Sequence, residues 1–241
     1  MTHVNPPEDA LAERLARVRA QVAAAAGKAG RRADEITLIA ISKTHPAAVV
    51  KHLIELGAGD VGENRVQEAE EKIAEVGRDK VRWHLVGHLQ ANKARRAVNL
   101  FDVIHSLDSI DLAQRLDRLC GEEGREKLPV LIQVDLGHEE TKSGIEETAL
   151  SQLVDGVAEL SRLQLIGLMT LPPFFENPED SRPFFRRLRE LRDKLAAKGA
   201  FGDGKGELSM GMTHDFRVAI EEGATMVRIG TAILGERGAR H

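Results

Sequence analysis

The strongest constraint on the fold is the alternation of short apolar stretches with helical patterns along most of the 241 residues. The stretch around residues 36–41 is apolar on both faces, which is typical of a parallel strand covered by helices. Seven further strands are predicted at 60–64, 82–87, 101–106, 129–135, 163–169, 207–209 and 225–229. Eight strands that alternate with helices predict a single parallel (β/α)8 TIM barrel, with a doubly wound open sheet as the competing fold.

An additional amphipathic helix is predicted before the first strand, over residues 8–26. Its apolar residues recur at helical spacing and are Leu11, Leu15, Val18, Val22 and Ala25. We expect this extra N-terminal helix to cover part of the barrel. Because the chain contains no internal repeat and no linker-like stretch, it is predicted to be one domain, residues 1–241.

Composition narrows the class of protein. The net charge of −4 argues against a nucleic-acid or anionic-membrane partner. A single cysteine, Cys120, fits a reducing compartment. No apolar stretch has the length that a bilayer requires, and the polar residues 1–9 do not resemble a signal peptide, so we expect a cytoplasmic protein.

The first predicted strand ends on a lysine. Lys43 comes shortly after the apolar stretch and before Pro46, which opens the next helix. In parallel α/β folds the groups beyond the carboxyl ends of the strands face the ligand. Partial desolvation by apolar neighbours would lower the pKa of the Lys43 ammonium and make it a usable amine. The alternative is a lysine that simply leaves the core and is solvated.

Two glycine-containing loops follow the seventh and eighth strands, where barrels commonly bind phosphate. Ser209 and Thr213 offer hydroxyl groups, while Gly211 and Gly230 allow backbone N–H groups to approach an anion closely. A helix predicted to start near Thr231 adds free N–H groups. The alternative is a pair of ordinary glycine turns with threonine N-caps.

Arg228 lies inside the apolar eighth strand and is predicted to point inward. A buried arginine is costly unless a carboxylate or a ligand acceptor meets it. The alternative is a structural ion pair with Asp135 or Glu63. An amine at Lys43, a phosphate site and an inward arginine together fit a phosphorylated aldehyde with an acceptor nitrogen. Pyridoxal 5′-phosphate (PLP) is the candidate, with Lys43 forming a Schiff base.

Seven short motifs lie in order along the chain. They are ISKTHP (41–46), GEN (62–64) with VQE (66–68), WHLVG (83–87) with LQANK (89–93), TKSGI (141–145), GLM (167–169), SMGMTHD (209–215) and MVRIGTA (226–232). Together they resemble the pyridoxal phosphate homeostasis protein family, whose members are similar to the N-terminal barrel domain of alanine racemase. The resemblance extends from about residue 10 to residue 237.

The resemblance implies a set of cofactor-binding residues. Lys43 is implied as the Schiff-base lysine, and Arg228 is implied to face the pyridine nitrogen. Asn64 is implied to line the ring pocket. The implied phosphate contacts are Ser209, Thr213, Gly230 and Thr231.

Two further positions have no assigned role. The family often has tyrosine after Gly-Glu-Asn, but this chain has Arg65 there, which puts the role of that ring in doubt. Lys142 precedes Ser143 and Gly144 and is a candidate contact for an anion, with a surface ion pair as the alternative.

The resemblance implies a PLP-binding protein that maintains intracellular vitamin B6 homeostasis. An arginine at the pyridine nitrogen keeps that nitrogen unprotonated, so the ring is a poor electron sink. Alanine racemase also uses a tyrosine from an additional domain of its partner subunit; this chain has no tyrosine and ends at His241 without such a domain. We therefore expect a monomeric, non-catalytic PLP carrier without catalytic residues, with PLP-dependent apoenzymes as candidate recipients.

Two enzymatic alternatives are weighed against the carrier. A slow amino-acid racemase would use Lys43 and one of His84, His105 and His214, each of which is otherwise a structural histidine. A Schiff-base aldolase would need a carboxylate near the lysine. No metal site is expected, because His84 and His88 do not share one helical face.

Overall fold

The computed structural model describes residues 8–137 and 143–235. Eight parallel strands form a ring, in which β8 pairs with β1 and β4 pairs with β5. The ring confirms the predicted TIM barrel and excludes the open doubly wound sheet. Its strands are β1 (Thr37–Ile41), β2 (Asp60–Glu63), β3 (Arg82–Leu85), β4 (Val103–Leu107), β5 (Leu128–Asp135), β6 (Leu163–Met169), β7 (Glu207–Ser209) and β8 (Met226–Ile229).

Helices alternate with these strands, as the sequence pattern predicts. An unpredicted two-residue strand, Ile145–Glu146, pairs with the end of β5. Within the described part of the chain, no helix is both long and apolar enough to cross a bilayer. The helices are α1 (Glu8–Lys28), α2 (Ala47–Glu55), α3 (Val66–Val76), α4 (Ala94–Leu100), α5 (Ile110–Glu122), α6 (Leu150–Ala158), α7 (Arg182–Ala196), α8 (Phe216–Glu221) and α9 (Thr231–Leu234).

The predicted N-terminal helix is present as α1 and packs against α8 and α9. Side-chain hydrogen bonds support this contact: Arg14 Nε, in α1, donates to the Ile233 carbonyl in α9 at 2.7 Å, and Arg31, just after α1, donates to the Ala224 carbonyl just after α8 at 2.7 Å. The helix therefore braces the last β/α units of the barrel. All five residues of its predicted apolar stripe are buried: Leu11, Leu15, Val18, Val22 and Ala25.

The barrel interior combines an apolar cluster with polar side chains. A large aliphatic core lies between the strands and the helices. A second, smaller cluster is formed by Ile39, Ile41, Val86, Val103, Leu131, Met169 and Met226. His84, His105, Ser209 and Arg228 are also buried, on β3, β4, β7 and β8. Buried polar groups need partners, so these four side chains lead to the candidate site.

We predict that Leu15→Ala destabilises the protein by about 2–5 kcal/mol, because it leaves a cavity beneath α1. Leu15 is only 2% exposed. Urea unfolding followed by circular dichroism measures the change. Arg17→Ala, on the exposed face of the same helix, is the control and should change the free energy of unfolding by less than about 0.5 kcal/mol. Equal effects of the two substitutions would show that α1 does not brace the barrel.

Candidate functional site

The ends of β1, β2 and β8 lie side by side at one rim of the barrel. Ala40 pairs with Ile229, and Ile41 pairs with Gly62. A Cβ atom built on Gly230 would lie 3.4 Å from the Ile41 carbonyl oxygen, so the loop after β8 touches the end of β1. The turn that follows β1 is therefore flanked by the loops that follow β2 and β8.

Lys43 lies in this turn and not in the strand. The strand β1 ends at Ile41, and the Lys43 side chain is exposed. The predicted desolvation of Lys43 by apolar neighbours is therefore wrong for this structure. Across residues 8–137 and 143–235, Lys43 makes no hydrogen bond or ion pair. Its amine is thus accessible to a ligand at the rim.

A carboxylate and a second lysine hold the turn in place. Thr44 has a φ of 67°, a conformation that β-branched residues rarely adopt. Its backbone N–H donates to the Glu68 carboxylate. Lys72 Nζ donates to the same carboxylate at 2.7 Å and to the Ser42 carbonyl oxygen at 2.7 Å. These bonds stabilise a strained backbone beside the exposed amine, and such strain clusters at functional sites.

Glu63 also supports this turn. Its carboxylate accepts a hydrogen bond from Lys72 Nζ at 2.6 Å and another from the Ser42 hydroxyl group. Burial raises the pKa of Glu63, and the positive charge of Lys72 opposes that shift. The Glu63–Lys72 pair was not predicted from the sequence. The sequence feature that could have indicated it is the position of Lys72, which lies next to Ile73 on the buried face of α3 and four residues after Glu68.

The loops after β7 and β8 meet as predicted. Gly211 has a φ of 92°, and a Cβ atom there would lie 2.6 Å from the Ala219 Cβ, so this position favours glycine. Thr213 Oγ1 lies 3.4 Å from the backbone nitrogen of Ala232, which joins the two loops. Among the described residues, the backbone N–H of Gly230 donates no hydrogen bond to a backbone carbonyl. Thr231 is the first residue of α9, so its backbone N–H has no acceptor within the helix.

Arg228 points inward from β8 and is 3% exposed. Its guanidinium donates to Ser209 Oγ at 2.6 Å and to the Thr170 carbonyl oxygen at 2.9 Å. Burial lowers the pKa of Arg228 to about 10, and the more distant charge of Asp215 opposes that shift. The group is still a cation at neutral pH.

The alternative for Arg228, a structural ion pair with Asp135 or Glu63, is not formed among the described residues. Glu63 pairs with Lys72 instead, and Asp135 makes no salt bridge with the guanidinium. Within the described ranges, no carboxylate lies within 4.0 Å of Arg228. A buried cation without a carboxylate is the arrangement expected of a group that meets a ligand.

Two buried histidines continue from Arg228 across the barrel interior. Ser209 Oγ lies 2.8 Å from His105 Nδ1, and His105 Nε2 lies 2.9 Å from His84 Nδ1. His84 Nε2 in turn lies 2.8 Å from the carboxylate of Asp60. Burial lowers the pKa of His84 and lowers that of His105 well below its ordinary value, so both rings are neutral. Each ring is hydrogen-bonded at both of its nitrogens.

The other candidate residues are Asn64, Arg65, His214 and Lys142. Asn64 follows β2 and is half-buried, and its backbone packs so closely against Gly87 that a side chain at position 87 would collide with the Asn64 carbonyl oxygen. Arg65 and His214 are exposed, and His214 Nε2 donates to the Glu176 carbonyl at 3.0 Å. Lys142 lies outside the described residues. In the part of the chain that is described, no cluster of three metal-ligating side chains occurs.

Comparisons with known proteins agree on one family. The family model described as "Alanine racemase, N-terminal domain" matches residues 13–238. The pyridoxal phosphate homeostasis protein of Aquifex aeolicus is 44% identical over 225 residues, which are 93% of this chain and 97% of that protein. The protein of the same name from Escherichia coli K12 is 41% identical over 239 residues, with 94% and 97% covered.

A solved structure is similar over the same range. PipY from Synechococcus elongatus PCC7942, with PLP bound, has a TM-score of 0.81 and 38% sequence identity. The match covers 93% of this chain and 100% of that one. The fold and the family are therefore established together.

We predict that acidification destabilises the protein through His84 and His105. Because their pKa values are lowered in the folded state, the unfolded chain takes up protons first as the pH falls below about 6.5. Each histidine should then cost about 1.4 kcal/mol of stability per pH unit. Urea unfolding between pH 7 and pH 5 measures this slope.

The test variant is His84→Gln. It should flatten the loss of stability with acid relative to the wild type, because it removes one buried neutral imidazole. An unchanged slope in His84→Gln would mean that this ring carries its proton in the folded protein.

Proposed function

The chain belongs to the pyridoxal phosphate homeostasis protein family, which shares the fold of the alanine racemase N-terminal domain, and we propose that it binds PLP reversibly at the barrel rim. The proposed role is to hold the cofactor and control its free concentration in the cell. Reversible binding without catalytic turnover is the form of activity that we assign to the site.

The observation that carries this proposal is the exposed Lys43 amine at the same end of the barrel as a buried arginine that meets no carboxylate among the described residues. Arg228 is a buried cation without a carboxylate among the described residues. The adjacent backbone N–H groups of Gly230 and Thr231 also require an acceptor. PLP would supply a phosphate for the amides and a ring nitrogen for the guanidinium, so the residues present fit this group.

Each residue of the proposed site has a distinct role. The neutral amine of Lys43 would condense with the aldehyde to a Schiff base, in which a C=N bond replaces the C=O bond and the aldehyde oxygen leaves as water with the two amine protons. Thr213, Gly230 and Thr231 would bind the phosphate through a hydroxyl group and backbone amides. Asn64 would line the ring. Arg228 would donate a hydrogen bond to the pyridine nitrogen and keep it unprotonated.

Ser209 was predicted to contact the phosphate as well, and its position in the structure favours another role. The residue is fully buried, and its hydroxyl group bonds to both Arg228 and His105. A hydroxyl group has one proton, so the bond to His105 leaves none for a phosphate oxygen. We therefore assign Ser209 to the support of Arg228.

The state of the histidines supports a carrier over a racemase. His84 and His105 are fully buried, and each uses both ring nitrogens in hydrogen bonds, so neither is free to move a substrate proton. His214 is exposed, and its Nε2 is bonded to a carbonyl group. We propose that PLP-dependent apoenzymes in the cytoplasm receive the cofactor from a monomeric carrier; the buried free thiol of Cys120 suits a reducing compartment.

We predict that Lys43→Ala abolishes covalent PLP binding. The purified protein with added PLP should show a visible band, and borohydride reduction should fix a pyridoxyl group on the peptide that contains Lys43. Peptide mass mapping locates the adduct. Lys51→Ala, at an exposed lysine on the neighbouring helix α2, is the matched control and should keep both the band and the adduct.

Two results would contradict the proposed function. A pyridoxyl adduct on a lysine other than Lys43 would overturn the site assignment. Inversion of a common amino acid at a physiologically useful rate, abolished in His214→Ala, would replace the carrier by a racemase.

We predict that Arg228→Met weakens PLP binding without a large loss of stability. Replacing a buried charge that lacks a carboxylate relieves its desolvation, which offsets the two lost hydrogen bonds. The free energy of unfolding of the ligand-free protein should change by less than about 1 kcal/mol, whereas Lys72→Met should cost about 3–5 kcal/mol because it leaves Glu63 unpaired. A large destabilisation by Arg228→Met would give this residue a structural role.

A further inference from the structure

The bonds from Arg228 to Asp60 have a single consistent direction. The Asp60 carboxylate can only accept, so His84 donates from Nε2. The neutral His84 ring then accepts at Nδ1 from His105 Nε2–H, and the neutral His105 ring accepts at Nδ1 from the Ser209 hydroxyl group. Ser209 Oγ accepts from Arg228. The Arg228 cation and the Asp60 anion are thus connected through three neutral groups with aligned dipoles. These groups are Ser209, His105 and His84.

We propose that Asp60, His84, His105 and Ser209 form a positioning relay that orients Arg228 towards the ligand. The relay rests on the proposed PLP site and deepens it. The residues lie on β2, β3, β4 and β7, and they cross the barrel interior from the amino ends of the strands towards the rim. Asp60, with a side chain 23% exposed, lies at the end of the barrel opposite the ligand.

The relay acts on Arg228 through geometry and charge. Ser209 and the Thr170 carbonyl occupy two of the five N–H groups of the guanidinium and define its plane. Because other donors are not bonded to any described residue, they are available to a ligand acceptor. Aligned hydrogen bonds in a medium of low dielectric constant reinforce one another, so the charge of Asp60 stabilises the distant guanidinium.

The charged groups around the two rings favour this arrangement. His84 faces the carboxylates of Asp60 and Asp102 and the cation of Arg82. Besides burial, the His84 ring and the positive charges of Arg228 and Arg82 disfavour a proton on His105. These neighbours therefore keep His105 neutral, and Asp60 is the carboxylate at the end of this series of hydrogen bonds.

The first test examines the relay without ligand. Long-range ¹⁵N–¹H NMR spectra of the ligand-free protein report which nitrogen of each histidine carries the proton. We expect His84 and His105 to carry it on Nε2, with no titration between pH 6 and pH 8. A proton on Nδ1 of either ring would overturn the relay, whatever the protein binds.

The second test removes the distant charge. Asp60→Asn should raise the Kd for PLP by about twofold to tenfold and change the ratio of the absorbance bands of the bound cofactor. Asp34→Asn is the matched control, because Asp34 lines the same cavity at the amino end of the barrel and is bonded to Arg32 and not to His84. It should keep the wild-type Kd and spectrum.

The outcomes separate the relay from the proposed function. Equal Kd values and spectra in Asp60→Asn and Asp34→Asn, with PLP still bound at Lys43, would overturn the relay alone. Absence of PLP binding by the wild-type protein would overturn the proposed function, while the tautomers still report on the hydrogen-bonded chain. Circular dichroism checks folding, and Asp60→Ser is a second variant that removes the same charge.

Discussion

The pairing of β1 with β8 closes the barrel, and the arrangement of the site depends on its register. Ile39 pairs with Arg228 and Ala40 with Ile229, so the turn that carries Lys43 leaves the sheet beside the loop that starts at Gly230. Parallel pairing brings both strand ends to the same rim. A shift by one residue would turn Arg228 out of the interior, because successive side chains in a strand point to opposite faces.

The fold buries charges at two places where an apolar core would need none. Arg228, inside the barrel, is neutralised by no carboxylate in the described part of the chain, whereas Glu63 and Lys72, between β2 and α3, form a close pair. All three side chains are buried, which makes any missing partner expensive. Such departures from a simple aliphatic core are expected where binding, and not stability, has determined the residues. The two arrangements have different roles at one site. The Glu63–Lys72 pair supports the turn that carries Lys43, and Arg228 faces the pocket.

The turn at Lys43 separates the reactive amine from the groups that support it. Lys72 and Glu68 take up the hydrogen-bonding capacity of the backbone around Ser42 and Thr44. Lys43 itself forms no such bond among the described residues, so nothing has to be broken before it meets a ligand. A second lysine in the same region is thus structural, and its burial makes it unsuitable as the ligand amine.

The sequence by itself determined the eight strands and the N-terminal helix, and it placed Lys43, Gly230 and Arg228 at or near the ends of strands. Apolar runs of strand length and ionisable residues at their ends are local patterns, and local patterns can be read without coordinates. Only the tertiary structure decided which charges meet. Glu63 pairs with Lys72 and not with Arg228, and the rings of His84 and His105 join across neighbouring strands, 21 residues apart. Those contacts arise from strand register and helix packing, which bring distant residues together and leave no periodic trace in the chain.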